Sequence, residues 1–310
     1  MDQNKPTFAT WLRAIRAPSL TATFAPSLAT MLLGLAQGWH LEPWLALLAV
    51  LGVVAVQIGV NLMNDVEDDD REIDRPGTLG GSGVIQDGSL SRESVRRGAL
   101  IAFGAGLLLG LPTIIFEPAI LAVVAVAAFG SWGYSNGVGL KYKALGDVAV
   151  LALCGPVLTI GFSLAAFGTF DGLVVALGVA LGLAAVGILH ANNLQDMDND
   201  RSRGIQTLAL KLGVVGATRY LVAVYALALV VWPAAALVAG LNPIAALVPL
   251  VAAAPIYGLV KRLVTAANDP RGASVGLAAP ELALVRIDAA KVHLALGALM
   301  SLGLVIALVA

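Results

Sequence analysis

Cysteine is nearly missing. Cys154 stands alone inside an apolar run, which excludes a disulfide framework and a cysteine zinc site. Charge is scarce too: 13% of the 310 residues are charged and 58% are hydrophobic, with a mean hydropathy of +0.87. That balance excludes an ordinary soluble domain. A net charge of −1 carries no signal for nucleic acid, and none is expected as a partner. No cleavable signal is expected either, because Met1 to Arg16 is polar and basic and the first apolar run is too long for an h-region. Glycine, by contrast, is abundant at 34 residues, which suits close helix packing in lipid.

Apolar runs predict nine membrane-spanning helices, over 18–37, 44–64, 97–114, 118–137, 146–167, 171–194, 217–239, 243–264 and 291–309. Each approaches the ~20 residues needed to cross hydrocarbon. With nine spans the connections alternate sides, and all 19 Lys and Arg fall on one side or at the adjoining span ends. The opposite connections, 37–43, 112–118, 168–172 and 240–243, contain none. The positive-inside rule makes the basic side cytoplasmic, with the N-terminus inside. A single membrane domain over 1–310 is expected, in the cell's inner (cytoplasmic) membrane.

The acidic residues are concentrated. Half of the 20 lie in two short stretches, Asp65–Asp74 and Asp196–Asp200, at the predicted cytoplasmic ends of spans 2 and 6. The spacing repeats: Asn61, Asn64 and Asp68 stand to one another as Asn193, Asp196 and Asp200 do. Steps of three and four put each trio on one helix face. Helix C-termini disfavour anions, and close carboxylates repel unless cations compensate. Solvated acidic loops would need no repeated Asn/Asp spacing. Oxygen donors without nearby His or Cys suit Mg²⁺ shared with phosphates.

Basic residues share that side. Lys141 and Lys143 follow span 4, in a stretch that begins at Tyr134, and they serve either as orientation signals or as anion contacts. Arg13 and Arg16 are equally headgroup anchors or ligand contacts. Acids and bases around one mouth form a diphosphate clamp. The 74–96 connection is long enough for a lid, and Gly77, Gly80, Gly81 and Gly83 could offer backbone N–H groups to an anion. The 8–9 connection, with Asn268-Asp-Pro-Arg-Gly272, reads as a linker. His190, His293 and Cys154 read as structural.

These residues resemble the UbiA superfamily of intramembrane prenyltransferases over essentially the whole chain, and within it the dihydroxynaphthoate prenyltransferases of menaquinone synthesis. The likeness is carried by Arg16-Ala-Pro-Ser-Leu, Asn64-Asp65-x-x-Asp68 with Asp74, Gly80-Gly-Ser-Gly-Val, Leu140-Lys-Tyr-Lys-Ala-Leu-Gly-Asp147, Asn192-Asn-Leu-Gln-Asp196-x-Asp-x-Asp200-Arg201 and Thr207-Leu-Ala-Leu-Lys-Leu-Gly213.

The resemblance implies an all-α bundle of nine helices around a central cavity, in two pseudo-repeated halves. It implies Asn64, Asp65, Asp68, Asp196 and Asp200 as Mg²⁺ ligands, with Asp68, Asp196 and Asp200 as the catalytic set. Asn64, Asn193, Tyr134, Lys141 and Lys143 would contact the diphosphate of a polyprenyl donor, and a small aromatic acceptor would attack. Gln195, Ile205-Gln206 and Gly80-Gly-Ser-Gly83 stand where the naphthoate branch carries basic residues. The acceptor therefore stays open between a naphthoate, another acceptor, and the prenyl chain itself as in a terpene cyclase. A transporter, the reading from another class, would place its charges near the midplane.

Overall fold

The computed structural model describes residues 7–73, 81–135, 138–267 and 285–309. Asp74, Gly77, Gly80 and the Asn268–Gly272 linker lie outside the described residues. Among the described residues there is no β-strand, only an isolated bridge between Lys143 and Gln206. The helices are α1 (Phe8–Ala14), α2 (Thr21–Ala36), α3 (Pro43–Asp70), α4 (Arg92–Phe116), α5 (Ile120–Ser135), α6 (Gly146–Ala152), α7 (Leu158–Phe167), α8 (Gly172–Gln195), α9 (Met197–Ser202), α10 (Leu208–Val238), α11 (Pro243–Leu247), α12 (Ala253–Ala267) and α13 (Val285–Val309). A π turn, Leu153–Val157, joins α6 to α7, and a 3₁₀ turn, Val248–Ala252, joins α11 to α12.

Among the described residues, eight helical stretches are long and apolar enough to cross a membrane, the build of a multi-pass membrane protein. The predicted 118–137 span is α5, whose 16 residues extend only about 24 Å against about 30 Å of hydrocarbon. By contrast, α3 has 28 residues, about 42 Å. Its apolar run is followed, within the same helix, by Asn61 to Asp70.

Helix ends are set by local chemistry. Ser91, Asp171 and Thr207 cap α4, α8 and α10 by accepting backbone N–H groups. The span predicted at 217–239 corresponds to the part of α10 beyond Gly213, where a positive φ of 66° interrupts the helix.

The central helix is α8. Two-thirds of its apolar window is buried (67%), against 22% for α4. It packs among α2, α10 and α13, with Leu177, Leu181, Leu221 and Leu296 all fully buried. Outward faces of α4 and α5 expose Ile101, Leu108, Phe116, Phe129 and Trp132, a lipid-facing band that needs no aqueous partner.

Glycine lets α8 touch the α6–α7 turn. A Cβ on Gly182 would stand 2.7 Å from the Leu151 carbonyl oxygen and 2.9 Å from Gly155 Cα. Both are backbone atoms, so the neighbour cannot yield. Gly182→Ala should destabilise the fold by about 1–3 kcal/mol, seen as a lower unfolding midpoint in detergent. An unchanged midpoint would contradict the close approach.

Candidate active site

The two acidic motifs come together at one end of the bundle. Asn64 and Asp68 on α3 face Asn193, Asp196 and Asp200 on α8 and α9 across a cleft of about 140 Å³, and Tyr134 and Lys141 also line it. Continuity across the α8–α9 break comes from backbone bonds: Asp196 N donates to Asn192 O and Asp200 N to Asp196 O, both at 2.9 Å. The three-and-four spacing therefore survives the change of direction.

The two trios are not used alike. All three members of the second line the cleft, whereas Asn61 does not. Its Nδ2 donates to Ile15 O at 2.9 Å and to Ser19 Oγ at 3.0 Å, tying α3 to the turn before α2. Asp65 is buried and turned aside as well. It accepts from Arg16 and from the Ser82 hydroxyl and is not among the cleft-lining residues. Arg16 reaches it from a left-handed backbone, φ 52°.

Asp68 is the most heavily engaged acid. Lys141 Nζ donates to both of its oxygens at 2.7 Å, and the Tyr142 hydroxyl donates at 3.0 Å. Burial, with the Asp68 charge second, pushes Tyr142 well above the ordinary phenol range, so it stays a donor. The Tyr142 ring also carries Arg71, 4.6 Å from its centroid. Lys143 goes elsewhere: it is exposed, its backbone bridges Gln206, and it does not line the cleft.

On the opposite wall, burial raises Asp196 to about 6, with Arg286 and Arg16 acting the other way. Arg286, from α13, lines the cleft. Sequence gave it no role beyond membrane orientation, since no motif surrounds it and 86 residues separate it from Asp200. Tyr142, Asp147 and Asn192 were likewise unassigned, although Tyr142 and Asp147 lie inside the quoted Leu140–Asp147 stretch.

The connection after α3 is latched over this end. Arg13 Nη2 reaches Asp87 at 2.6 Å and Ser89 Oγ at 2.9 Å, and hydrogen bonds from Ser89, with Arg13 adding to them, hold Asp87 below the usual carboxylate range. Arg92 pairs with Asp70.

The donors suit a hard cation only in company. No group of three His, Cys, Asp or Glu that could hold a metal occurs among the described residues. Yet oxygen donors stand on both walls, Asn192 Oδ1 is buried with no hydrogen-bond partner, and Asp196 lacks enough positive charge to offset its burial. That set fits a cation shared with phosphate oxygens rather than a closed protein cage.

The family model described as the UbiA prenyltransferase family matches residues 23–277. The chain belongs to the UbiA prenyltransferase family. Two bacterial relatives are 1,4-dihydroxy-2-naphthoate octaprenyltransferases. The Escherichia coli protein is 29% identical over 225 residues, covering 68% of this chain and 70% of the relative. The Mycobacterium tuberculosis protein is 32% identical over 209 residues, covering 66% and 70%. A UbiA prenyltransferase domain-containing protein 1 homolog of Drosophila melanogaster is 32% identical over 66% of this chain, which spans only 58% of that relative.

Solved UbiA homologues share the fold. One from Aeropyrum pernix superposes with a TM-score of 0.62 at 19% identity, covering 94% of this chain and 98% of its own. One from Archaeoglobus fulgidus, bound to GPP and Mg²⁺, gives 0.60 at 14% identity, covering 94% and 99%.

Proposed function

We propose that this UbiA-family protein transfers a polyprenyl group from an allylic diphosphate to an electron-rich aromatic acceptor of the dihydroxynaphthoate type, with Mg²⁺ as the cation partner of the diphosphate. One observation carries the reading: acids on two helix ends face each other across a cleft that also holds Lys141, Arg16 and Arg286. The Mg²⁺ and GPP of the Archaeoglobus homologue and the names of the bacterial relatives support it.

Asn64 and Asp68 on one wall, with Asn193, Asp196 and Asp200 on the other, would hold the cation. When bound, it would neutralise charge that develops on the departing diphosphate. Lys141 supplies a mobile ammonium that can turn from Asp68 to a phosphate oxygen, and Tyr142 keeps Asp68 oriented meanwhile. Arg16 and Arg286 add fixed positive charge where the leaving group's charge builds. Leu189, Ile205 and Leu208 line the same cleft and keep water from an allylic cation. The isoprenoid tail would run along the apolar bundle, taken as nine helices around a central cavity in two related halves, one domain over 1–310. The basic connections support a mouth on the cytoplasmic side of the cell's inner membrane.

The test is product analysis by mass spectrometry on purified protein given Mg²⁺ and farnesyl or geranylgeranyl diphosphate, with and without dihydroxynaphthoate. The expected product is a prenylated naphthol lacking the carboxylate. Acceptor-independent release of diphosphate with a terpene would convert the reading to a cyclase. No donor consumption would end it.

The raised Asp196 also gives a pH prediction. Its ionised form is the costly one in the folded chain, so its stabilising contribution is greatest below about pH 4 and declines as pH rises toward about 6. Cation binding has the opposite sign, because the proton must leave first. The Mg²⁺ concentration for half-maximal thermal stabilisation should rise about tenfold per unit as pH falls below 6. A flat dependence between pH 7 and 5 would remove Asp196 from the ligand set.

A further inference from the structure

One acidic group at the cleft is left unused by the scheme above. Asp147 begins α6 with 3% exposure, and His190 on α8 is fully buried. His190 Nδ1 lies 2.8 Å from Asp147 Oδ2. The Tyr220 ring packs against the His190 ring, with centroids 4.6 Å apart. His190 Nε2 is buried with no hydrogen-bond partner, so the described polar contact of this imidazole is to Asp147. Helix α8 thus commits a side chain to orienting one carboxylate, α10 holds that imidazole with the Tyr220 ring, and the carboxylate lines the cleft.

Depth gives the carboxylate a meaning. His190 precedes Asp196 by six residues of α8, about 9 Å toward the middle of the span. Asp147 shares its part of the cleft wall with Tyr134 and Leu189. A Cβ on the adjoining Gly146 would touch both of those side chains, at 3.8 and 3.4 Å. In an allylic diphosphate the reacting carbon is bonded directly to the bridging oxygen. With the diphosphate held among Asp68, Lys141 and Asp196, that carbon and the acceptor facing it lie inward, at the level of Asp147.

We propose that Asp147 takes the proton that the acceptor gives up during transfer, and that His190 and Tyr220 are positioning residues for it. The proposal rests on the prenyl-transfer reading. In the balanced step the allylic C–O bond breaks and its electron pair stays on the diphosphate. The acceptor ring forms the new C–C bond with a π pair. One hydroxyl proton of the acceptor passes to the Asp147 carboxylate as the ring attacks. The acceptor's carboxylate then leaves as CO₂, its bonding pair restores the aromatic ring, and Asp147 returns the proton to the ring oxygen. A buried base held by hydrogen bonds at the reacting centre contributes about 10²–10⁴-fold to such a step.

The experiment separates ionisation from proton removal. Purified enzyme with Mg²⁺ is given a prenyl diphosphate carrying ¹⁸O at the bridging position. Scrambling of the label into the non-bridging positions reports C–O cleavage and return, and prenylated product is measured in parallel with acceptor present. Asp147→Asn should keep scrambling within about threefold of wild type while product formation falls at least about 100-fold. His190→Asn can still present an amide N–H near the Nδ1 position and should keep product formation within about tenfold, whereas His190→Leu should behave as Asp147→Asn does. Product formation within tenfold in Asp147→Asn overturns the proposal. Parallel loss of scrambling and product also overturns it, because the pair then serves ionisation or the fold. Absence of prenylated product from the wild-type enzyme overturns the prenyl-transfer reading itself, a separate failure.

Discussion

Asp68→Asn and Asp196→Asn should each lower prenyl transfer by about 10²–10³-fold, the loss expected when one preorganised electrostatic group leaves a water-poor site, yet their effects on stability should differ in sign. Asp68 is 6% exposed, and its charge is matched by Lys141 at 2.7 Å. Asparagine in its place can still accept from Lys141 and Tyr142 but leaves the ammonium without its counter-charge, so the unfolding midpoint should fall. Asp196 is the opposite case, since burial has already raised it to about 6. A neutral asparagine there removes a charge that the fold disfavours, and the midpoint should hold or rise. Activity assays and thermal unfolding in detergent check both. If the acids merely wet a loop, both variants would turn over normally.

The spacing of Asn64 and Asp68, and of Asn193, Asp196 and Asp200, was legible because helical periodicity is local, and the cleft brings all five together. So was Lys141. The parts that were not legible depend on contacts between distant segments. Asn61 has the same register as Asn193, but a main-chain carbonyl at Ile15 and a hydroxyl at Ser19 lie beside it, so it became a tie between helices. Asp65 has no counterpart to its Arg16 and Ser82 partners in the second motif, where the equivalent position is Met197, fully buried. Lys143, two residues from Lys141, follows the bridge to Gln206 away from the cleft. His190 was read as structural because a lone histidine in an apolar run gives no partner, and Asp147 lies 43 residues earlier. The single interruption of α10 at Gly213 explains why the predicted start there fell later than Leu208.

Lys141→Met should cost about 2–3 kcal/mol of stability without divalent cation, and Mg²⁺ should restore part of it. Breaking a fully buried pair costs about 3–5 kcal/mol, because one charge is left unpaired in a poor dielectric. The Lys141 side chain keeps 20% exposure and Asp68 only 9%, which puts this pair below that range. The lysine occupies the position around Asp68 that positive charge must fill when donor is absent, and both carboxylate oxygens point to it. With the lysine gone, a divalent cation becomes the available partner for Asp68. The gap in unfolding midpoint between wild type and Lys141→Met should therefore be wide in chelator and narrow at saturating Mg²⁺. Turnover should stay low in both conditions, since the ammonium also serves the departing diphosphate, and KM for the donor should rise. Asp68→Asn combined with Lys141→Met removes both charges, so its stability should recover relative to either single change while activity does not. A gap that Mg²⁺ leaves unchanged would mean that no cation reaches Asp68, and the shared-cation arrangement would then have to exclude α3.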